Sequence, residues 1–515
     1  MRAPRAALAL AAAAVVTVGV TAGVTACGAS PSSTAGGQPS AGTGTLRLGG
    51  AFTTGTFNPW LSPDGDNEYL QLEGAVYDSL THIGPDGQIE PGLAVKWTFT
   101  TPTTLVLTLR SGVTFTDGTP VNAAAVQANF DYAKHAAPAA QQNSYIAGLT
   151  TTVVNATTVK LTSATPEPDV LTDFATGGGF IVNPKALQDP STLTSKPAGS
   201  GPYQLASAIP GQQWTFTRRP HYWDAAQYPY GTLVIENYSS AQAQDDALRS
   251  GQLQGAPETA PLVKSDQASG LNIEASTPDS YDGIWLADRS GKDVPALGNV
   301  KVRQALNYAL DRPALVSALA GSLGIAGSLV IPPGMPGYSA SANSYYSYDP
   351  AKARELLAEA GYPRGFTLPV LSTPTADTLV QAIAGELSAI GVTVKISDHT
   401  TDFLSQAFSG KWAAVVFAWT PIPPAQNMYE LLSPAGLGNF DHSTNAQIDG
   451  LLARTQDTQG SAQATALTQL VQAVNTQGWF LLPGYLPDLY VTSKNITCAI
   501  GQRAVCPLYT FRPTA

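Results

Sequence analysis

Cysteine, histidine and charge are all scarce in this chain. Its 515 residues include three cysteines and five histidines, and charged side chains make up 12%. A structural zinc site needs clustered Cys and His ligands, but His82, His135, His221, His399 and His442 are scattered, so no metal site is expected. Basic residues number 27 against 37 acidic ones, a net charge of −10. That balance argues against nucleic acid as a partner, because phosphate binding needs a basic patch. The chain has no HExxH, no GxSxG elbow, no P-loop and no GxGxxG. Gly177-Gly178-Gly179 lacks the Lys and spacing of a phosphate cradle and reads as a flexible loop. Asp64-Gly65-Asp66 begins like a calcium loop but lacks the later ligands, and reads as a solvated turn. The pair Asp245-Asp246 reads as solvated surface beside a helix. Distant residues can assemble a triad without any local motif, yet these absences together argue against an enzyme or a cofactor.

The N-terminus carries an address. Arg2 and Arg5 form a basic start, Leu8 to Val20 is apolar, and Val24-Thr25-Ala26 places small residues just before Cys27. This order is a signal peptide, and small residues before a Cys make it the bacterial lipoprotein kind, with Cys27 lipidated. A retained membrane helix is the alternative, but the segment is diluted by Gly and Thr and has no basic flank on its far side. Residues 27–45 hold no charge and almost no large apolar side chain, which suits a flexible lipid tether. A membrane location on the extracytoplasmic face follows, since two acyl chains on one Cys anchor stably. In an oxidising exterior, Cys498 and Cys506 read as a small-loop disulfide rather than metal ligands.

About 470 residues remain, enough for two or three domains, and 43% hydrophobic content describes a globular body. No later segment approaches 18 unbroken apolar residues. Thr104 to Arg110 alternates Leu105, Leu107 and Leu109 with polar residues, which predicts a strand. Asn122 caps a predicted helix carrying Val126, Phe130 and Ala133. Lys301 to Leu310 is apolar on one face, and Asp311 caps a following helix that stops at Gly321. Asp349-Pro350 opens another helix, with Ala353, Leu356, Leu357 and Ala360 on one face and Gly361 closing it. A helix through Leu379, Ile383, Leu387 and Ile390 ends at Gly391, and a strand follows from Val392 to Ile396. Lys411 to Trp419 suits a buried strand. The alternation argues for α/β layering.

Several segments, in order, resemble the dipeptide/oligopeptide-type solute-binding proteins of ABC importers (family 5). Val76-Tyr77-Asp78-Ser79-Leu80 with Gly84-Pro85-Asp86-Gly87 resembles the family's opening, and Pro91-Gly92-Leu93-Ala94 with Trp97 its next step. Leu109-Arg110-Ser111-Gly112-Val113-Thr114-Phe115 with Asp117-Gly118-Thr119-Pro120 resembles LRxGVxFxDGxP, the most specific motif. Gly199-Ser200-Gly201-Pro202-Tyr203 resembles GTGPY. Arg219-Pro220-His221-Tyr222-Trp223 resembles RNPxYW with Arg for Asn. Val302-Arg303-Gln304-Ala305, Ala309-Leu310-Asp311-Arg312 and Tyr348-Asp349-Pro350 to Gly361-Tyr362 continue the match. These are mostly scaffold residues, so they speak for the fold more than for the ligand.

The resemblance implies a two-lobed, type II periplasmic-binding-protein-like α/β fold with a small domain inserted in lobe one. Lobe one would comprise residues 46–86, 190–281 and 484–515, the insert 87–189, and lobe two 282–483, after a signal at 1–26 and the tether. Crossings are expected near Tyr281–Ala287 and Leu481–Leu486. A monomer would close by hinge motion on a small molecule, most plainly a peptide, and deliver it to permease and ATPase subunits. A hydrolase and a non-peptide binder or sensor are the competing readings. The resemblance places Trp60, Tyr203, Trp285, Trp419, Tyr429 and Phe440 in segments that line the cleft. Peptide binders of the family carry an Asp three residues after the Trp; here that position is Ile422. A buried ligand ammonium would then need another carboxylate, with Asp64, Asp66 and Asp282 as candidates.

Overall fold

The computed structural model describes residues 44–514, apart from 53–55, 62–67, 85–87, 137–145, 165–166, 168–169, 260, 400–401, 420–423, 459 and 501–504. Cys27, the signal and most of the tether, Asp64, Asp66 and Ile422 therefore lie outside the described residues. No described helix is long and apolar enough to cross a membrane.

Two mixed sheets organise the chain. The first has seven strands in the order Asn272–Ala275, Leu489–Thr492, Gly255–Pro257, Thr45–Gly50, Thr232–Asn237, Gln213–Arg218 and Tyr203–Ile209. Its strands come from the start, middle and end of the sequence, so no contiguous segment could build it alone. The second has five strands: Thr393–Asp398, Thr367–Ser372, Ala414–Trp419, Tyr281–Leu286 and Phe480–Leu481. Thr367–Ser372 runs parallel to both its neighbours, whereas Tyr281–Leu286 pairs antiparallel on both sides. Both faces of this sheet are covered, one over Trp285, Val415 and Phe480 and the other over Ile284, Ala414 and Val416. That double burial explains the unbroken apolar run of its central strand. A four-stranded antiparallel sheet, Ala94–Thr101, Thr104–Leu109, Thr158–Thr162 and Thr150–Asn155, shares its core with the first sheet.

Local punctuation works as the side chains require. Asn122 accepts a hydrogen bond from the Ala125 amide, Asp311 from Ala314, and Asp349 from Lys352. The helix Pro350–Glu359 ends before Gly361, which takes φ 91°. Gly201 is required by proximity: a Cβ there would lie 2.5 Å from the Val76 carbonyl carbon, while its amide bonds Val76 O at 2.9 Å. Cys498 and Cys506 form a disulfide.

Two local expectations are corrected. Gly177–Gly179 is a buried 3-10 turn, tied by Gly179 N–H to Thr176 O (3.0 Å) and by Leu80 N–H to Gly179 O (3.0 Å). Three residues without side chains allow this backbone to sit inside the core. Asp245 is fully buried while Asp246 is exposed, because the helix Ala241–Arg249 turns Asp245 toward the first sheet.

The chain passes between the sheets twice. The passages, near 276–280 and 486–488, lie side by side. Leu486 N–H donates to Ser280 O (2.8 Å), Ser276 N–H to Asp488 O (3.0 Å), and Asp488 N–H to Ser276 Oγ (2.9 Å).

Candidate ligand-binding site

At the end of the second sheet nearest these passages, Tyr281 lies opposite Trp419, Gly283 opposite Phe417, and Trp285 opposite Val415. Alternation along both strands puts these six residues on one face. Trp285 is the hub, with ring centroids 5.3 Å from Phe417, 5.6 Å from Trp419, 5.6 Å from Phe440 and 5.3 Å from Phe480. Tilted and edge-on contacts of this kind suit the ring quadrupoles. Gly438 makes room for the indole: a Cβ there would meet Trp285 Cζ3 at 2.7 Å. Trp285 is 1% exposed and its Nε1–H has no hydrogen-bond partner among the described residues.

Trp419 differs in being half-buried. Its Nε1–H donates to Asn427 Oδ1 at 2.6 Å, which fixes the ring plane. Asn427, on the helix Pro424–Leu432, also bonds the Tyr281 hydroxyl and donates from Nδ2 to Val330 O at 3.1 Å. Burial pushes the Tyr281 hydroxyl far above its ordinary pKa, so it stays neutral. Asn427 went unnoticed in the sequence, where it stands next to a second amide, Gln426, and nothing local sets it apart.

Of the other expected residues, Tyr429 is half-buried against this cluster and Phe440 is buried within it. Trp60 and Tyr203 belong to the core of the first lobe. Trp60 is 0% exposed and donates to Asn129 Oδ1 (3.3 Å), and Tyr203 donates to Tyr230 O (3.1 Å). These two pack in a different core from the aromatic face around Trp285, which draws together Trp419, Tyr429 and Phe440.

The passages carry acid groups. Burial, with the charge of Asp488 added, pushes Asp282 up to about 7, and burial raises Asp279 as well. Asp282 is half-buried and lies opposite Ala418, so its side chain leaves the sheet on the face away from Trp419. Trp419 and Asp282 thus flank the end of one sheet. A fixed aromatic plane and an under-solvated carboxylate can stack on a flat group and meet a cation, but neither is a nucleophile with an adjacent base.

Comparisons agree with this architecture. The family model for bacterial extracellular solute-binding proteins, family 5, matches residues 88–439, more than half of the chain. The glutathione-binding protein GsiB of Shigella dysenteriae is 28% identical over 484 residues, covering 88% of this chain and 90% of its own. NikA from Brucella suis, solved with Fe(III)-EDTA, superposes with a TM-score of 0.79 at 18% identity, covering 92% of this chain and all of its own. DppA from Helicobacter pylori, solved with the peptide STSA, gives 0.76 at 19% identity, covering 91% and 98%. At these identities the two structures speak for the fold.

Proposed function

Because this chain belongs to the bacterial extracellular solute-binding proteins of family 5, we propose that it captures a small peptide or peptide-like solute between its lobes and delivers it to an ABC permease and its ATPases. The chain acts as a monomer held on the outer face of the membrane by lipid on Cys27, and it breaks no bonds in its cargo. The half-buried Trp419 ring, locked on Asn427 above the aromatic cluster, carries this reading. An aromatic plane of that kind offers large contact area at low entropic cost. Tyr429 lines the same face, and Trp285 and Phe440 form its floor. Asp282 is the group that meets the solute's ammonium. The relative named for binding glutathione makes this tripeptide the first solute to test.

Glutathione, di- to tetrapeptides and their N-acetylated forms should be titrated calorimetrically, with the recovered solute checked for cleavage. Binding without turnover is expected, weaker for acetylated peptides. Release of cleaved product, or no binding by any peptide, would overturn the reading. A Cys27→Ala chain should leave the membrane fraction. One observation favours a non-peptide solute instead: Ile422 replaces the Asp of peptide binders. Affinity for a metal chelate or oligosaccharide alone would establish that reading.

A further inference from the structure

The first lobe holds a second group of ionisable side chains, remote in sequence from the aromatic site. Asp245 on the helix Ala241–Arg249, Glu258 just after the strand Gly255–Pro257, and Asp266 on the helix Val263–Ala268 converge. One carboxylate oxygen from each lies within 4.8 Å of the others. Asp245 and Asp266 are 0% exposed and Glu258 is 9% exposed. The elements that bring them together also bury Leu248, Leu253, Ala256 and Val491.

Hydrogen bonds account for only part of this oxygen set. Asp245 Oδ2 accepts from the Arg249 guanidinium and, at 3.4 Å, from Gln242 Nε2. Glu258 Oε1 accepts from the Thr259 amide at 2.7 Å and its hydroxyl at 3.3 Å. Asp245 Oδ1, Glu258 Oε2 and both oxygens of Asp266 are buried with no hydrogen bond among the described residues. Buried acceptors without a donor are rare and point to an unseen ion or water. Burial raises the Glu258 carboxyl, and burial with the Glu258 charge raises Asp266 to about 6. Three carboxyl groups thus crowd together beside one guanidinium, that of Arg249.

We infer that Asp245, Glu258 and Asp266 bind a calcium ion. Each has a buried oxygen with no hydrogen bond among the described residues, and the three carboxyl groups outnumber the single guanidinium beside them. The donors are all hard oxygens, which suits calcium, magnesium or manganese rather than the softer metals. Calcium takes several carboxylate oxygens at about 2.3–2.6 Å in a flexible geometry, and the three side chains bring one oxygen each within reach of a single ion. Magnesium demands near-ideal octahedral geometry and is usually held by one or two carboxylates with several waters kept, which suits a set of three converging carboxyl groups less well. The ion would pin two helices to the sheet next to the strand Leu489–Thr492, whose Leu489 O accepts from the Glu258 amide (2.9 Å). That strand begins where the chain returns from the second lobe, so the ion would stiffen the base of the passage without touching the solute.

The protein stripped with chelator should be titrated with CaCl2 by calorimetry, and its melting followed in chelator, CaCl2 and MgCl2. One calcium per chain is expected, with a melting rise of about 2–5 °C at saturating calcium and a smaller one with magnesium. Asp266→Asn should abolish the calcium response yet melt at or above the wild type in chelator, since one of the crowded carboxyl groups is gone. Glu258→Gln supplies the same reading if the first variant fails to fold. No calcium heat and no melting shift in the wild type, or an undiminished response in the variants, would overturn the site.

Discussion

Replacing Asp282 by Asn separates stability from binding at one atom. A carboxyl pushed up to about 7 in the fold, against about 3.9 when unfolded, sets a ceiling of about 4 kcal/mol against folding once both states are ionised. Asp282 keeps some exposure, and solvent screening reduces this to about 1–2 kcal/mol. The folded state holds this proton more tightly than the unfolded chain. Wild-type stability therefore falls as pH rises from about 4 to about 7 and levels off above. Asn has no such slope. The gap between variant and wild type should widen across that window and stay constant at higher pH, with the variant the more stable at pH 8. Urea melts at several pH values would measure it. The same variant should bind free-amino peptides at least about tenfold more weakly, a loss of about 1.4 kcal/mol, and N-acetylated peptides unchanged. A gap independent of pH, or a variant less stable than wild type at pH 8, would refute the assignment of an under-solvated, unpaired carboxylate.

Three further outcomes are expected. Trp419→Ala should weaken solute binding by about 2 kcal/mol in a calorimetric titration while the melting temperature changes little. Trp60→Ala should do the opposite, costing about 3–5 kcal/mol of stability in denaturant melts through an unfilled cavity and leaving the affinity of the folded protein unchanged. Replacing Cys498 and Cys506 together by Ser should lower stability by about 2–3 kcal/mol, the loop-closure entropy of a short cross-link, and a melt insensitive to reductant would contradict it.

Much of the secondary structure was legible because its causes are local. Asn122, Asp311 and Asp349 cap their helices with bonds to amides three residues on, and Gly361 closes a helix through its own φ. The strand Ala414–Trp419 announced its burial on both faces by its apolar run. The candidate site was only partly legible. Trp60, Tyr203 and Trp419 are all aromatic residues in family-typical segments, yet two fill a core and one keeps an open face. What separates them is the company they keep across long sequence distances, Asn129 for Trp60 and Tyr230 for Tyr203.

Composition and order of residues alone carried the acidic balance, the caps and stops of several helices and the resemblance to a two-lobed fold. Each follows from chemistry shared by neighbours a few residues apart or from a motif sequence. Tertiary structure alone decided that Asp245 turns inward beside Glu258 and Asp266 while Asp246 meets water, and that Asn427 orients Trp419. Burial and electrostatic coupling depend on which distant segments pack together, and a carboxylate carries no mark of its future neighbours.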